Sequence, residues 1–157
     1  MQKAFLLVIA AGAGIGLMWP SARSPAPASE AAVAEGEAKE TLLKRRSDGH
    51  FYVDAEVNGE LVNFVIDTGA TDVVLPVDTA RRLGIEFSES EFVVIGRGAS
   101  GPVRGKVIKL DKVSVDGKAV RNIDAAIAEG LDQPLLGQAY LSRISSVEMS
   151  KDHMRLQ

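Results

Sequence analysis

From Thr41 to the C-terminus, apolar side chains recur at every second position in short runs cut by turn-forming residues. This period confines the stretch to a mostly β domain with helix as the minority element. Thr41 to Arg46 is expected to pair with His50 to Val57 across Ser47-Asp48-Gly49, and in the second run Phe51, Val53, Ala55 and Val57 alternate with Tyr52, Asp54 and Glu56. Asn58-Gly59 supplies a strong hairpin signal. Leu61 to Ile66 is nearly continuous in apolar residues, as expected of a strand covered on both faces, and it ends at Asp67. Asp67 to Thr71 reads as a turn, Val73 to Leu75 as a strand, and Pro76 as the opening of a short helix that runs through Leu83 and stops at Gly84.

Further on, Glu91 to Ile95 and Val103 to Leu110 are expected as strands flanking a glycine-rich hairpin tip, Gly96 to Pro102. Val113 to Val115 and Ala119 to Ile123 should meet around Asp116-Gly117, and Ala125 to Ala128 should form another strand. Leu135-Leu136-Gly137 precedes a helical turn over Gln138 to Arg143, and Ile144 to Met149 with His153 to Leu156 reads as a closing hairpin.

The N-terminal part is of a different kind. Ala4 to Trp19 contains no charged or strongly polar side chain, and as a helix it would be about 24 Å long, slightly short of a bilayer's hydrocarbon core. The expectation is an uncleaved membrane anchor with Lys3 in the cytoplasm and the rest exported to the periplasm. The alternative is a signal segment removed after secretion. Residues 20–40 are rich in Pro, Ala, Ser and Glu with only Val33 as a large apolar group, which suits a disordered tether to a domain beginning at Thr41. Lys44-Arg45-Arg46 is expected to be a solvated strand or loop face.

Composition narrows the chemistry. A formal net charge of −3 lacks the basic footprint of a nucleic-acid binder. The chain has no cysteine, which removes thiolate nucleophiles and thiolate metal sites, and its two histidines, His50 and His153, are isolated from each other. Carboxylate chemistry is what remains for an enzyme. Asp67-Thr68-Gly69-Ala70, set between two apolar strands, is the one motif with a mechanistic meaning. A carboxylate at the end of a buried strand needs hydrogen-bond donors, and Gly69 lets backbone N–H groups approach where a side chain would block them. On these residues alone two readings stay open: a catalytic carboxylate, or an Asp that caps a tight turn.

The chain resembles the retroviral-type, or retropepsin-like, aspartic proteases, and especially their bacterial single-domain, membrane-anchored relatives. The resemblance covers about residues 41–157. It is carried by Gly49-His50-Phe51, Val57-Asn58-Gly59, the run Phe64 to Leu75, Arg82-Leu83-Gly84-Ile85, and Leu135-Leu136-Gly137 with Leu141-Ser142. It implies a small closed β-barrel with one or two short helices, in which Asp67 of one chain faces Asp67 of a second copy. One carboxylate then acts as base toward water and the other as acid toward the scissile carbonyl, the pair sharing one proton and titrating as a unit.

By the same resemblance Thr68 would bond across the homodimer, Gly69 would admit the backbone to the carboxylate, and Gly137 would belong to an element packed beside the catalytic turn. Ala70 stands where other members carry a hydroxyl that donates to the ionised carboxylate, so its loss favours activity nearer neutral pH. Gly98, Ala99, Ser100 and Gly101 would form a flap over a bound protein or peptide substrate. No cofactor and no metal is expected. The rival reading is a catalytically silent peptide-binding or dimerisation module of the same fold.

Overall fold

In a computed structural model, which describes residues 37–98 and 101–157, the regular structure from Thr41 onward is mostly β-strand, with only short helical pieces. The segment expected to be a membrane anchor and residues 20–36 of the tether lie outside the described residues. Among the described residues no helix is long and apolar enough to cross a membrane.

The main sheet begins with β2 (Tyr52–Val57), in which Val53, Ala55 and Val57 point into the core, and returns through Asn58-Gly59 into β3 (Glu60–Ile66). Both turn residues have positive φ, 49° and 98°, which is the backbone twist that joins antiparallel strands in a two-residue hairpin. The Asp67 turn then leads to β4 (Val73–Pro76) and the short helix α1 (Val77–Arg82), which ends where Ile85 N–H donates to the Ala80 carbonyl. A 3₁₀ turn at Glu89–Glu91 precedes β5 (Val93–Gly98), and β6 (Gly101–Val115) and β7 (Lys118–Ala128) form a long hairpin around Asp116-Gly117. The short strand β8 (Leu135–Leu136) and α2 (Gln138–Leu141) follow.

These strands are ordered β2-β3-β8-β4-β7-β6-β5, and a further pairing of β2 with β6, Val57 opposite Val113, joins the two sides. The sheet is thus a closed ring with β5 outside it, bonded to β6 alone. Closure leaves an interior filled by Val53, Val57, Phe64, Leu75, Leu110, Val113, Ile123, Ile127 and Leu136, all nearly inaccessible.

The first strand behaves differently from expectation. The hairpin between residues 41–46 and β2 does not form. β1 (Thr41–Lys44) instead pairs with the last strand, β10 (His153–Leu156), which also pairs with β9 (Val147–Met149) in a separate three-stranded sheet. The expected turn is present, with Gly49 N–H donating to the Arg46 carbonyl and Asp48 accepting from His50 N–H and Tyr52 hydroxyl. β2 has β3 along one edge and meets β6 only at Glu56 and Val57 on the other, while β1 is paired over its whole length with β10 and is held there by Arg45. Arg45 is also more than a solvated charge: its guanidinium donates to the carbonyls of Gly49 and Lys151 and lies 4.5 Å from the Phe51 ring centroid, tying β1 to the β9–β10 turn.

Three smaller differences follow from neighbours. Only Phe64, Val65 and Ile66 of β3 are covered on both faces, while Leu61 is 67% exposed, because β8 reaches only the end of the strand. The segments 103–110 and 113–115 are one strand, and so are 119–123 and 125–128, because the two pair with each other along nearly their full length. β5 begins two residues later than expected because a capping box at Ser88 and Glu91 turns that stretch into the 3₁₀ turn.

Where β1 enters, Lys118 is 7% exposed and its ammonium donates to the Lys39 carbonyl and, at 2.8 Å, to the Thr41 hydroxyl. The Thr41 hydroxyl in turn donates a hydrogen bond to Asp116 Oδ2 at 2.5 Å. Burial holds the Lys118 ammonium below the usual lysine range, against the opposing pull of Asp116 and Glu40.

Candidate active site

Asp67 stands at the end of β3, where its N–H donates to the Leu136 carbonyl at 3.1 Å and so fixes it beside β8. The chain then reverses: Ala70 N–H donates to the Asp67 carbonyl at 3.2 Å, and Gly69 N–H donates to Asp67 Oδ1 at 2.9 Å. The carboxylate is half-buried and therefore holds a backbone donor while remaining open to a reactant. A Cβ on Gly69 would stand 3.2 Å from Oδ1, tighter than ordinary contact, which is the close approach the sequence suggested for this glycine.

The turn is braced from behind by the segment after β8. Gln138 N–H donates to the Ala70 carbonyl at 2.9 Å, Ala139 N–H to the Thr71 carbonyl at 2.7 Å, and Gln138 Nε2 to the Thr68 carbonyl at 3.1 Å. Gly137 makes this approach possible. A Cβ there would lie 2.2 Å from the Asp72 carbonyl oxygen and 2.6 Å from that of Ala70, so no other residue fits without moving the turn.

A cleft of about 630 Å³ opens in front of Asp67. Its floor is Asp67, Gly69 and Ala70, and its opposite wall is the β5–β6 hairpin, represented by Arg97, Gly98, Gly101, Pro102 and Val103. Val74, Ala128, Leu131 and Leu135 supply apolar sides. The structure therefore brings Asp67, Gly69, Ala70, Gly98 and Gly101 around one space. Gly98 pairs with Gly101 and brackets Ala99 and Ser100, which lie outside the described residues. Thr68 is exposed and faces away from this cleft into a second hollow, lined also by Gln138, Leu141, Met149 and Met154. Gly137 sits behind the turn rather than in the cleft.

Several contributors were not legible in the sequence. Arg97 and Glu129 line the cleft, the latter 3.7 Å from Arg104 on the neighbouring strand. Gly105 is a further close approach: a Cβ there would meet the Ile127 carbonyl oxygen at 2.0 Å. A lone glycine inside a strand pattern was the available signal for it. The histidines stand apart from the cleft, His50 beside Asp48 in a turn and His153 exposed on β10.

Comparison with known proteins adds to this geometry. A family model described as "gag-polyprotein putative aspartyl protease" matches residues 53–143. An uncharacterised protein of Sinorhizobium sp. encoded in the cobV 5′ region is 32% identical over 125 residues, covering 78% of this chain and 53% of that protein. An uncharacterised protein of Rickettsia prowazekii is 33% identical over 117 residues, covering 74% of this chain and 50% of its own length. The chain thus spans about half the length of the curated relatives it matches.

Among solved structures, a retropepsin-like aspartic protease from Rickettsia conorii is 33% identical with a TM-score of 0.65, over 76% of this chain and 91% of that one. The EIAV protease in complex with the inhibitor HBY-793 is 17% identical with a TM-score of 0.54, over 67% and 97% of the two chains, a likeness of fold alone.

Proposed function

The chain belongs to the retropepsin-like aspartic protease family, and from that premise we propose that it is an aspartic endopeptidase working as a homodimer, with one Asp67 from each chain and a water molecule as nucleophile. The observation that carries this reading is the half-open Asp67 carboxylate, held by the Gly69 N–H, on the floor of a cleft of about 630 Å³. One chain carries one such motif, and the reaction needs both a base and an acid. The second carboxylate therefore comes from a second copy. Thr68, exposed beside the turn, would meet its symmetry mate across that contact, while Gly69, Ala70 and Gly137 hold the turn itself. Gly98, Ala99, Ser100 and Gly101 would serve as the flap, with backbone groups bonding an extended protein or peptide substrate.

The apolar run from Ala4 to Trp19 supports a single-pass anchor in the inner membrane, residues 20–40 a tether, and residues 41–157 a catalytic domain in the periplasm acting on envelope proteins. Cleavage of the same run as a signal segment would release the domain to the periplasm. Confinement to a surface raises effective concentration and offsets weak association of a small domain.

The test is to incubate the full-length chain with a denatured protein and a diverse peptide mixture across acidic to neutral pH, and to map new termini by mass spectrometry. Cleavage that is blocked by a pepstatin-type inhibitor and absent in Asp67→Asn is the expected result. Cleavage that persists in a folded Asp67→Asn chain would refute the aspartic mechanism, and none from a folded wild-type dimer would refute the protease reading.

A further inference from the structure

The cations of the β5–β6 hairpin are matched to acidic partners with one exception. Along β6, Arg104 lies 3.7 Å from Glu129, Lys106 is 2.8 Å from Glu91, Lys109 is 2.5 Å from Asp124, and Lys112 is 3.1 Å from Glu56. Arg97 on β5 makes no hydrogen bond or ion pair among the described residues. Its cross-strand neighbour is Pro102, which has neither a charge nor an N–H to offer. Arg97 is also the hairpin cation without such a partner that lines the catalytic cleft, whose other charged walls are Asp67 and Glu129. Arg104 already answers Glu129, and a second tie from Arg104 to the Phe92 carbonyl at 3.0 Å keeps it in place.

In each chain's half of the cleft a peptide would therefore meet apolar sides, the Asp67 carboxylate on the floor, and on the opposite wall a guanidinium with no partner among the described residues. A guanidinium presents a planar fork of donors that a carboxylate accepts two at a time. We infer that Arg97 is a specificity-determining residue that selects peptides carrying an acidic side chain, Glu or Asp, at the position lying under the base of the flap. The inference rests on the protease reading for its biological meaning, yet the recognition itself is a binding property and is measured without turnover.

The experiment uses the full-length Asp67→Asn chain, which retains the cleft and leaves peptides intact, and fluorescence anisotropy with C-terminally amidated peptides. A Glu is walked along an otherwise constant sequence and compared with Gln at each position. The expected result is a position in each half of the peptide, one facing the Arg97 of each chain, where Glu binds roughly tenfold more tightly than Gln at low ionic strength, as a charge-assisted pair in a partly open site would give. Adding Arg97→Gln should bring that ratio close to one, and adding Arg97→Glu should transfer the preference to Lys.

A Glu-to-Gln ratio that is unchanged by Arg97→Gln overturns the inference. So does an absence of any position with a Glu preference, an advantage seen only with a free C-terminal carboxylate, or no measurable binding of any peptide. Cleavage by the wild-type chain is scored separately, so failure of the protease reading and failure of this inference are distinguishable.

Discussion

The Asp67 turn and the terminal sheet are fastened by different means. At the turn most ties are backbone to backbone: Gln138 and Ala139 donate to the Ala70 and Thr71 carbonyls, and Gly137 packs against Asp72 with no room for a Cβ, with the Gln138 side chain adding one bond to the Thr68 carbonyl. Where β1 enters the terminal sheet, one backbone bond, from Lys39 N–H to the Asp116 carbonyl, is joined by a side-chain network in which Lys118 reaches Lys39 and Thr41, and Thr41 reaches Asp116. Backbone contacts at van der Waals limits tolerate almost no added volume, whereas side-chain contacts can be lost one at a time and can respond to pH. The geometry of a reacting carboxylate is better served by the first kind, and the attachment of a terminal strand by the second.

The sharpest way to break this comparison is Gly137→Ala. The added Cβ must displace the Asp72 or Ala70 carbonyl by more than an ångström, which also disturbs Asp67 through the same turn. Urea denaturation is expected to show a loss of about 3 kcal/mol or more, the upper end of what overpacking costs. A loss below about 1 kcal/mol would mean that the brace yields easily and that the turn is not set by close approach.

The difference between the two regions also explains what could be read from the sequence. The Asp67 turn was legible because its determinants are consecutive: an apolar strand, Asp-Thr-Gly-Ala, then a second apolar strand, with Leu135-Leu136-Gly137 as a recognisable partner. The hairpins at Asn58-Gly59 and Asp116-Gly117 were legible for the same reason, since both positions in each turn require positive φ. β1 was not. Its partner β10 comes from the other end of the chain, Thr41 opposite Leu156, and nothing local in residues 41–46 distinguishes that pairing from a hairpin with β2. Arg97 and Glu129 escaped notice because membership of the cleft depends on how β5 and the end of β7 fold toward Asp67, not on their own sequence neighbours.

A smaller effect sharpens the side-chain half of the comparison. Lys118→Met keeps the apolar stem but removes the donor to Lys39 and Thr41, and is expected to cost about 2 kcal/mol. The pH dependence should change with it. Because burial depresses the Lys118 pKa in the folded chain, the unfolded chain holds more protons between the folded and unfolded values. The cost of the buried charge is present in full below the folded value, and stability rises with pH until it is gone above the unfolded value. Denaturation midpoints measured across alkaline pH should show that rise in the wild-type chain and a flatter profile in Lys118→Met. An equally steep rise in both would place the titration elsewhere.

The smallest expected effect tests whether the two regions are joined. Tyr140 on α2 is fully buried, directly after the residues that brace the catalytic turn, and its hydroxyl donates to the Lys118 carbonyl at 2.7 Å. Burial pushes the Tyr140 hydroxyl's ionisation well up, so it remains a donor throughout the usable pH range. Tyr140→Phe should cost about 1 kcal/mol, since one buried acceptor loses its donor while the ring continues to fill the core. The acceptor belongs to the Lys118 main chain, so Lys118→Met leaves it in place. The double variant should then show the sum of the two single effects within about 0.5 kcal/mol. A larger coupling would mean that the Lys118 side chain positions its own carbonyl for Tyr140, and that a side-chain contact at the terminal strand reaches the backbone-held turn at Asp67.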